Sequence, residues 1–162
     1  MIFMPVVTLP TTRAYPPRMT HFNAPFWQSL DQARLATTCC ERCGEVTFPP
    51  RPICPCCWST SLRWKTLSPL GEIYSYTIVH AAPSLFLPDA PYAVGIVDLD
   101  EGLRIALRIL EPPEKLHIGR RGTVATLRYK DGVFFGFVMG ESASESHLPK
   151  SGKSDSSCSE HL

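Results

Sequence analysis

The chain has 162 residues and a mass of 18.0 kDa, a length that suits one medium domain or two small ones with a real hydrophobic core. Its formal charge is +1, and residues 1–140 hold 14 basic and 11 acidic groups, a balance of +3 that is too small for a protein built to coat nucleic acid. The sequence contains no run of about 18 apolar residues, so no membrane-spanning helix is predicted.

Residues 1–21 form an N-terminal arm to which no fold is assigned. The arm contains four prolines and no sustained period, and it is expected to be ordered only if the body of the protein or a partner holds it. The N-terminus lacks an uninterrupted apolar stretch behind basic residues, so a secretory signal peptide is not expected. Together with reduced cysteines, this predicts a cytoplasmic protein.

A helix is predicted over residues 22–37, with Asn23 as its N-cap and a proline two residues later. Phe26, Trp27 and Leu30 lie along one side of this helix. These side chains either pack on the rest of the protein or form an amphipathic face that docks on a partner subunit.

Six of the seven cysteines lie in one window, residues 39–57. The window contains two Cys-x-x-Cys pairs, Cys40 with Cys43 and Cys54 with Cys57. A two-residue gap lets a tight turn aim both thiolates at one cation, and two such turns complete the tetrahedral sulfur site that zinc prefers. The pattern predicts a zinc ribbon over residues 38–67. Because four thiolates leave no coordination position for water or substrate, the zinc is expected to be structural, one per chain.

The cysteine window leaves alternatives open. A disulfide framework or a redox Cys-x-x-Cys site can use the same residues. Cys39 and Cys56 each adjoin a chosen ligand, so a register in which one of them binds the metal also remains open. Gly44 suits a knuckle with a positive φ angle, whereas Trp58 occupies the equivalent place after the second pair. The second knuckle is therefore expected to close in another way.

The region 68–140 has the period-two pattern of a β-structure. Alternation in the third strand places Leu103, Ile105, Leu107 and Ile109 on the core face. The dipeptide Asp131-Gly132 predicts a type I′ hairpin. Five antiparallel strands are predicted, at residues 72–80, 93–99, 103–109, 122–130 and 133–139.

Strands without covering helices must protect their edges by closing up, which favours a five-stranded OB-fold barrel, with an SH3-like barrel as the rival. The predicted fold class is therefore mainly β: an N-terminal helix, a rubredoxin-like zinc ribbon, then the barrel. Residues 141–162 are rich in serine and predicted to be disordered.

These motifs together resemble the DUF35 family of zinc-ribbon plus OB-fold proteins. The resemblance covers residues 22–140, and Trp58 departs from it because the family tends to have glycine there. The matching segments, in chain order, are Phe26-Trp27, Cys40-Glu41-Arg42-Cys43-Gly44, Phe48-Pro49-Pro50-Arg51, Cys54-Pro55-Cys56-Cys57, Gly71-Glu72-Ile73-Tyr74-Ser75-Tyr76-Thr77-Ile78-Val79-His80, Pro91-Tyr92 and Ile118-Gly119.

The resemblance implies a role beside acyl-CoA enzymes. Members are commonly small partners of thiolase-superfamily subunits, whose own residues make or break the carbon–carbon bond. The expected function is a non-catalytic accessory subunit of a thiolase, acyltransferase or side-chain aldolase that helps to shape the acyl-CoA pocket. The expected partners are a thiolase-like subunit and acyl-CoA. The alternatives are a free-standing acyl-CoA-binding protein and a single-stranded nucleic-acid-binding OB-fold.

No catalytic residue is predicted in this chain. His80, at the end of the first barrel strand, is the one histidine with the position of an acid/base group, and a structural histidine is the alternative. The following loop, residues 81–92, is long and apolar, so Phe86 and Tyr92 are expected to face a partner or the acyl-CoA, and a loop that folds back over its own barrel is the alternative. Arginines with the chemistry for CoA phosphates are Arg104, Arg108, Arg120 and Arg121, and a merely solvated barrel face is the alternative.

Overall fold

The computed structural model describes residues 3–140, so the predicted disordered tail, 141–162, lies outside the described residues. The described part is mostly strands, as predicted, and none of its helices is long and apolar enough to cross a membrane. The elements are β1 (Val6–Thr8), α1 (Ala24–Asp31), β2 (Leu35–Cys40), β3 (Val46–Thr47), β4 (Leu62–Leu67), β5 (Leu70–Val79), β6 (Tyr92–Leu99), β7 (Arg104–Ile109), β8 (Arg121–Tyr129) and β9 (Gly132–Met139).

Strands β5 to β9 form a closed five-stranded barrel, which confirms the OB-fold prediction. The hydrogen-bonded order is β5-β6-β7-β9-β8, and β8 returns to β5. Only the β7–β9 pairing within this barrel is parallel. Alternation in β7 is as predicted, since Ile105, Leu107 and Ile109 are buried while Arg104 and Ala106 are exposed. Closure leaves no long unpaired edge on these five strands.

The N-terminal helix is shorter than predicted, because α1 ends at Asp31 instead of extending to residue 37. Ala33 adopts a left-handed conformation with φ +55°, and the N–H of Arg34 bonds to the carbonyl of Ser29, as in a Schellman termination. The residues from 35 onward then pair as β2. Asn23 is the N-cap residue, but its side chain accepts a hydrogen bond from the N–H of Thr20 rather than from the helix.

The zinc ribbon is a three-stranded antiparallel sheet with β2 in the centre, between β3 and β4. Every residue of β2 is buried, because the strand has a neighbour on each side and α1 packs on it. The ribbon continues into the barrel from β4 to β5 through only Ser68 and Pro69.

Three phenylalanines join the helix, the ribbon and the barrel. The rings of Phe26 in α1, Phe48 beside β3 and Phe135 in β9 lie 5.7–5.9 Å apart in edge-on geometry. Phe26 and Leu30 are buried, and the hydroxyl of Thr126 donates to the carbonyl of Leu30. The apolar side of the helix therefore packs on its own chain, which is the first of the two alternatives considered above.

The N-terminal arm is held by the body of the protein. Strand β1 pairs in parallel with β8, where Val6 lies opposite Thr126. Two backbone hydrogen bonds extend this contact, from the N–H of Leu9 to the carbonyl of Arg128 and from the N–H of Lys130 to the carbonyl of Thr11. The arm thus follows β8 to the β8–β9 hairpin.

The β8–β9 hairpin is present, but the prediction of a type I′ turn is wrong. A type I′ turn needs positive φ at both central residues, and here Gly132 has positive φ while Lys130 and Asp131 do not. The arm residue Arg13 holds this turn instead. Its backbone N–H and Nε donate to the carboxylate of Asp131, and its other guanidinium nitrogens donate to the carbonyls of Asp131 and Val133.

Candidate metal centre and ligand cavity

The two cysteine knuckles have the same backbone geometry. The N–H of Gly44 bonds to the carbonyl of Cys40 at 3.0 Å, and the N–H of Trp58 bonds to the carbonyl of Cys54 at 3.1 Å. The φ angles are +77° at Gly44 and +57° at Trp58. The expectation that the second knuckle closes in another way is therefore wrong, because the tryptophan adopts the left-handed conformation itself.

The knuckles bring together the four cysteines that the spacing selects. The sulfur atoms of Cys40, Cys43, Cys54 and Cys57 all lie within 4.8 Å of one another. Sulfurs about 2.3 Å from a tetrahedral zinc are about 3.8 Å apart, so the donor set and its size fit the ion. Cys39 lies outside the cluster, and its sulfur is 3.6 Å from the carbonyl oxygen of Gly44.

Cys40 and Cys43 differ in the pKa of their thiols, and a bound cation removes this difference. The backbone N–H of Cys43 stabilises the Cys40 thiolate and lowers the pKa of Cys40 to about 6. The backbone of Glu45 also acts to lower the pKa of Cys43, but burial and the three neighbouring sulfurs outweigh it and raise the pKa to about 12. Four thiolates repel one another without a cation, whereas bound zinc keeps all four deprotonated. The cluster therefore suits a structural zinc that fixes the ribbon.

A cavity of about 620 Å³ lies between the N-terminal arm, the loop 85–92 and the barrel. We call it the arm cavity. It contains three of the residues predicted to face acyl-CoA or a partner, namely Phe86, Tyr92 and Arg108. The lining residues are Thr11, Thr12, Arg13, Ala14, Tyr15, Pro17, Leu85, Phe86, Pro88, Asp89, Tyr92, Arg108, Leu127, Tyr129 and Phe134.

The four selected arginines are not gathered in one phosphate site. Arg108 lies at the arm cavity, where its Nη1 is 2.8 Å from a carboxylate oxygen of Asp89. Arg104 lies four residues earlier in β7, about 13 Å away along the strand. The remaining three lie outside the lining of the cavity: Arg104 pairs with Asp98, Arg121 pairs with Asp100, and Arg120 donates to the carbonyl of Lys115.

His80 lies beyond the end of β5 and is exposed. No described residue forms a hydrogen bond with its ring. His80 is therefore not paired with a nucleophile among the described residues. The alternative of a structural histidine would also need a hydrogen-bond partner, and none lies among the described residues.

The sequence interpretation missed the contribution of the arm to the cavity. Arg13 and Tyr15 are not among the predicted site residues, although they line the same space as Phe86 and Tyr92. The arm gives little local signal, because β1 has only three residues and its partner strand lies far away in the sequence. The short apolar run Val6-Val7 was the one available hint of a strand.

Comparisons with known proteins agree with this architecture. A model of the rubredoxin-like zinc ribbon domain of ChsH2 matches residues 27–63, and a model of the C-terminal OB-fold domain of ChsH2 matches residues 64–126. The fold and the cysteine cluster thus define a zinc-ribbon plus OB-fold protein. A DUF35 domain-containing scaffold protein of Methanocaldococcus jannaschii is 40% identical over 94 residues, which cover 57% of this chain and 67% of that protein. The chain belongs to the DUF35 family.

Two further relatives carry names that refer to enzymes. The benzoylsuccinyl-CoA thiolase subunit BbsA of Thauera aromatica is 33% identical over 101 residues, which cover 58% of this chain and 66% of BbsA. A chain of the solved Ltp2-ChsH2(DUF35) aldolase has 28% identity and a TM-score of 0.68, with 76% of this chain and 98% of that chain covered.

Proposed function

We propose that this chain is a non-catalytic accessory subunit of a thiolase-superfamily enzyme that acts on carbon–carbon bonds of acyl-CoA compounds. The observation that carries the proposal is the similarity to the chain of the Ltp2-ChsH2(DUF35) aldolase, which this chain covers almost completely. The similarity to a thiolase subunit, BbsA, supports the same class of partner. The enzyme served is a thiolase, an acyltransferase or a side-chain aldolase.

The clustered cysteines, Cys39 and His80 do not form a nucleophile–base pair among the described residues. Nucleophilic catalysis needs a thiolate or alkoxide with a base within hydrogen-bonding distance. The four clustered cysteines are assigned to zinc, Cys39 is buried under the first knuckle, and His80 has no partner among these residues. The reacting groups are therefore expected in the larger subunit.

The loop 81–92 is the surface that we assign to the partner and to acyl-CoA. Leu85 and Leu87 are 53% and 59% exposed; Leu85 lines the arm cavity, and Leu87 lies between the lining residues Phe86 and Pro88 in the chain. Exposed apolar side chains on a loop next to a concave site are typical of a protein contact. Docking of the larger subunit on this loop would place the acyl-CoA between the two proteins.

Affinity purification of the tagged full-length chain from its native host tests this proposal. We expect a thiolase-like protein to copurify in stoichiometric amount. A Leu87→Asp variant should lose that partner, because a charge would be buried at the contact. The matched control is Ile118→Asp, at an apolar side chain 68% exposed and outside the loop. Recovery of the wild-type chain without any thiolase-like protein, from a lysate in which thiolase-like proteins are detected, would refute the proposal.

A free-standing acyl-CoA-binding protein is the second candidate, and the arm cavity is the observation that favours it. Isothermal titration, together with the affinity purification, separates the two functions. Tight binding of intact acyl-CoA by the chain alone, combined with failure to recover a partner, would favour the second candidate. Copurification of a thiolase-like subunit in stoichiometric amount would favour the first, whether or not the chain alone binds acyl-CoA.

A further inference from the structure

The arm cavity has the dimensions and walls of a small-molecule site. Its volume of about 620 Å³ lies within the range of roughly 300–1,000 Å³ typical of ligand pockets. Most of its walls are apolar or aromatic, with Phe86 and Tyr92 on one side and Phe134 and Leu127 on another. Such walls favour a ligand with a hydrophobic body.

The charges at the cavity are already balanced by the protein. Arg108 pairs with Asp89 at 2.8 Å and lies over the ring of Tyr92 at 5.2 Å. Arg13 is the other cation in the lining, and four hydrogen bonds tie it to Asp131 and Val133. A phosphate would have to displace a carboxylate from one of these arginines, whereas an uncharged group would leave both pairs intact. The cavity therefore suits a neutral ligand rather than the phosphate end of CoA.

Two half-buried hydroxyls in the lining, those of Tyr92 and Tyr129, have no hydrogen-bond partner among the described residues, and Tyr129 is the one that lies on the barrel wall. Burial raises the pKa of Tyr129, while nearby Arg108 opposes the shift, so the phenol stays protonated at neutral pH. A protonated hydroxyl in an apolar cavity is suited to donate a hydrogen bond to a carbonyl oxygen.

The arm forms its wall of the cavity through contacts within the protein, without a ligand. Backbone hydrogen bonds anchor the arm to β8 as far as Thr11, and Arg13 then fixes it to the hairpin. Residues 11–17 lie outside residues 27–126, the part matched by the two domain models. The shape of this cavity is therefore set by a segment outside the shared domains.

We propose that the arm cavity binds the acyl group of the substrate and selects a bulky, neutral acyl group. The carbonyl oxygen of the acyl group accepts a hydrogen bond from the hydroxyl of Tyr129. This assignment rests on the proposed function, since that function makes acyl-CoA the substrate. The nucleotide end of CoA lies outside the cavity, and the arm limits the size of the acyl group. Ala14 has the smallest side chain in the lining, so a larger residue at this position would take up space in the cavity.

Titration of the zinc-loaded full chain with N-acetylcysteamine thioesters tests the assignment, because these probes carry the acyl group without the nucleotide. NMR amide shifts report where each probe binds. The 3-phenylpropanoyl thioester should give saturable shifts in residues 11–17 and 129–134. The acetyl thioester should bind at least about tenfold more weakly, since it cannot bury a phenyl ring. Free CoA should not compete.

Two variants check the site itself. Ala14→Phe should abolish the saturable shifts by filling the cavity, while Ala106→Phe, at an exposed position outside the lining, should leave them unchanged. Tyr129→Phe keeps the ring and removes the hydroxyl, so it should weaken binding about fivefold. Tyr129→Phe also serves if Ala14→Phe does not fold.

Three results would overturn the assignment: no saturable binding of the phenylpropanoyl probe, equal affinity for the acetyl probe, or competition by free CoA. These results are separable from failure of the proposed function. Thioester binding by a chain that copurifies with no thiolase-like subunit would refute the accessory role and leave the cavity assignment standing. A recovered partner combined with no thioester binding would refute only the cavity assignment.

Discussion

Replacing Trp58 by glycine should stabilise the protein. The left-handed conformation at φ +57° costs a non-glycine residue about 1–2 kcal/mol. The side chain is 78% exposed, so its removal forfeits little buried area. Glycine loses about 0.5–1 kcal/mol more conformational entropy on folding, which offsets part of the relief. The net expectation for Trp58→Gly is a gain of about 0.5–1 kcal/mol in the free energy of unfolding.

Urea unfolding at a fixed free zinc concentration measures this gain, since metal binding and folding of a zinc ribbon are coupled. The matched control is Gly44→Ala at the first knuckle, where φ is +77° and an added Cβ would meet nothing within 4 Å. Backbone strain and the smaller conformational entropy of alanine are the only changes there, so Gly44→Ala should lose about 0.5–1 kcal/mol. A Trp58→Gly variant that is less stable than the wild type would show that the tryptophan makes contacts that outweigh its strain.

Three further predictions concern the metal, the pH dependence and the core. Cys40→Ser should lose the one zinc per chain measured by elemental analysis, and Cys39→Ser should keep it; the reverse would show a different ligand register. The backbone N–H and the side chain of Arg13 lower the pKa of Asp131, so this carboxylate stabilises the fold above about pH 4 and its contribution is lost as the pH falls through the lowered pKa. In Asp131→Asn the urea midpoint of unfolding should therefore fall less steeply as the pH is lowered through this range. The same pH dependence in the variant and the wild type would contradict this assignment. Phe26→Ala should lower the free energy of unfolding in urea by about 3–5 kcal/mol, because the ring is buried between helix, ribbon and barrel. A decrease below about 1 kcal/mol would show that this ring does not hold the three parts together.

The barrel was predictable because its signals are local. Alternation along β7 placed Ile105, Leu107 and Ile109 in the core, and the five strands lie close to the predicted positions. The spacing of the cysteines likewise led to a cluster of four sulfurs that lie within 4.8 Å of one another, as ligands of one cation do. In each case residues near in sequence carry enough information to determine the local backbone.

The differences arise where tertiary contacts override local preference. Helical spacing continues through Ala33 and Leu35, yet the chain turns at Ala33 because the following residues complete the ribbon sheet. Trp58 takes a conformation that favours glycine because the second knuckle must match the first around one ion. A single sequence gives no signal for either constraint.

The charged residues show the same limit. Arginine chemistry suggested a phosphate site, whereas the fold pairs Arg104, Arg108 and Arg121 each with an aspartate. Asp98 lies opposite Arg104 in the predicted hairpin of β6 and β7, so that pair was within reach of the sequence. Asp89 and Asp100 are 19 and 21 residues from Arg108 and Arg121, so those two pairs could not be read from the sequence around each arginine. The arm cavity is hidden from the sequence for a similar reason, since it needs residues 11–17 beside Tyr129 and Phe134.

Reconstitution of activity tests the accessory role most directly. The chain, its copurified thiolase-like partner and the two together should be assayed for cleavage or formation of the carbon–carbon bond in an acyl-CoA. The chain alone should show no turnover, the partner alone should be strongly impaired, and mixing should restore the activity of the copurified complex. Turnover by this chain alone at the rate of the complex, or full activity of the partner without it, would contradict the account.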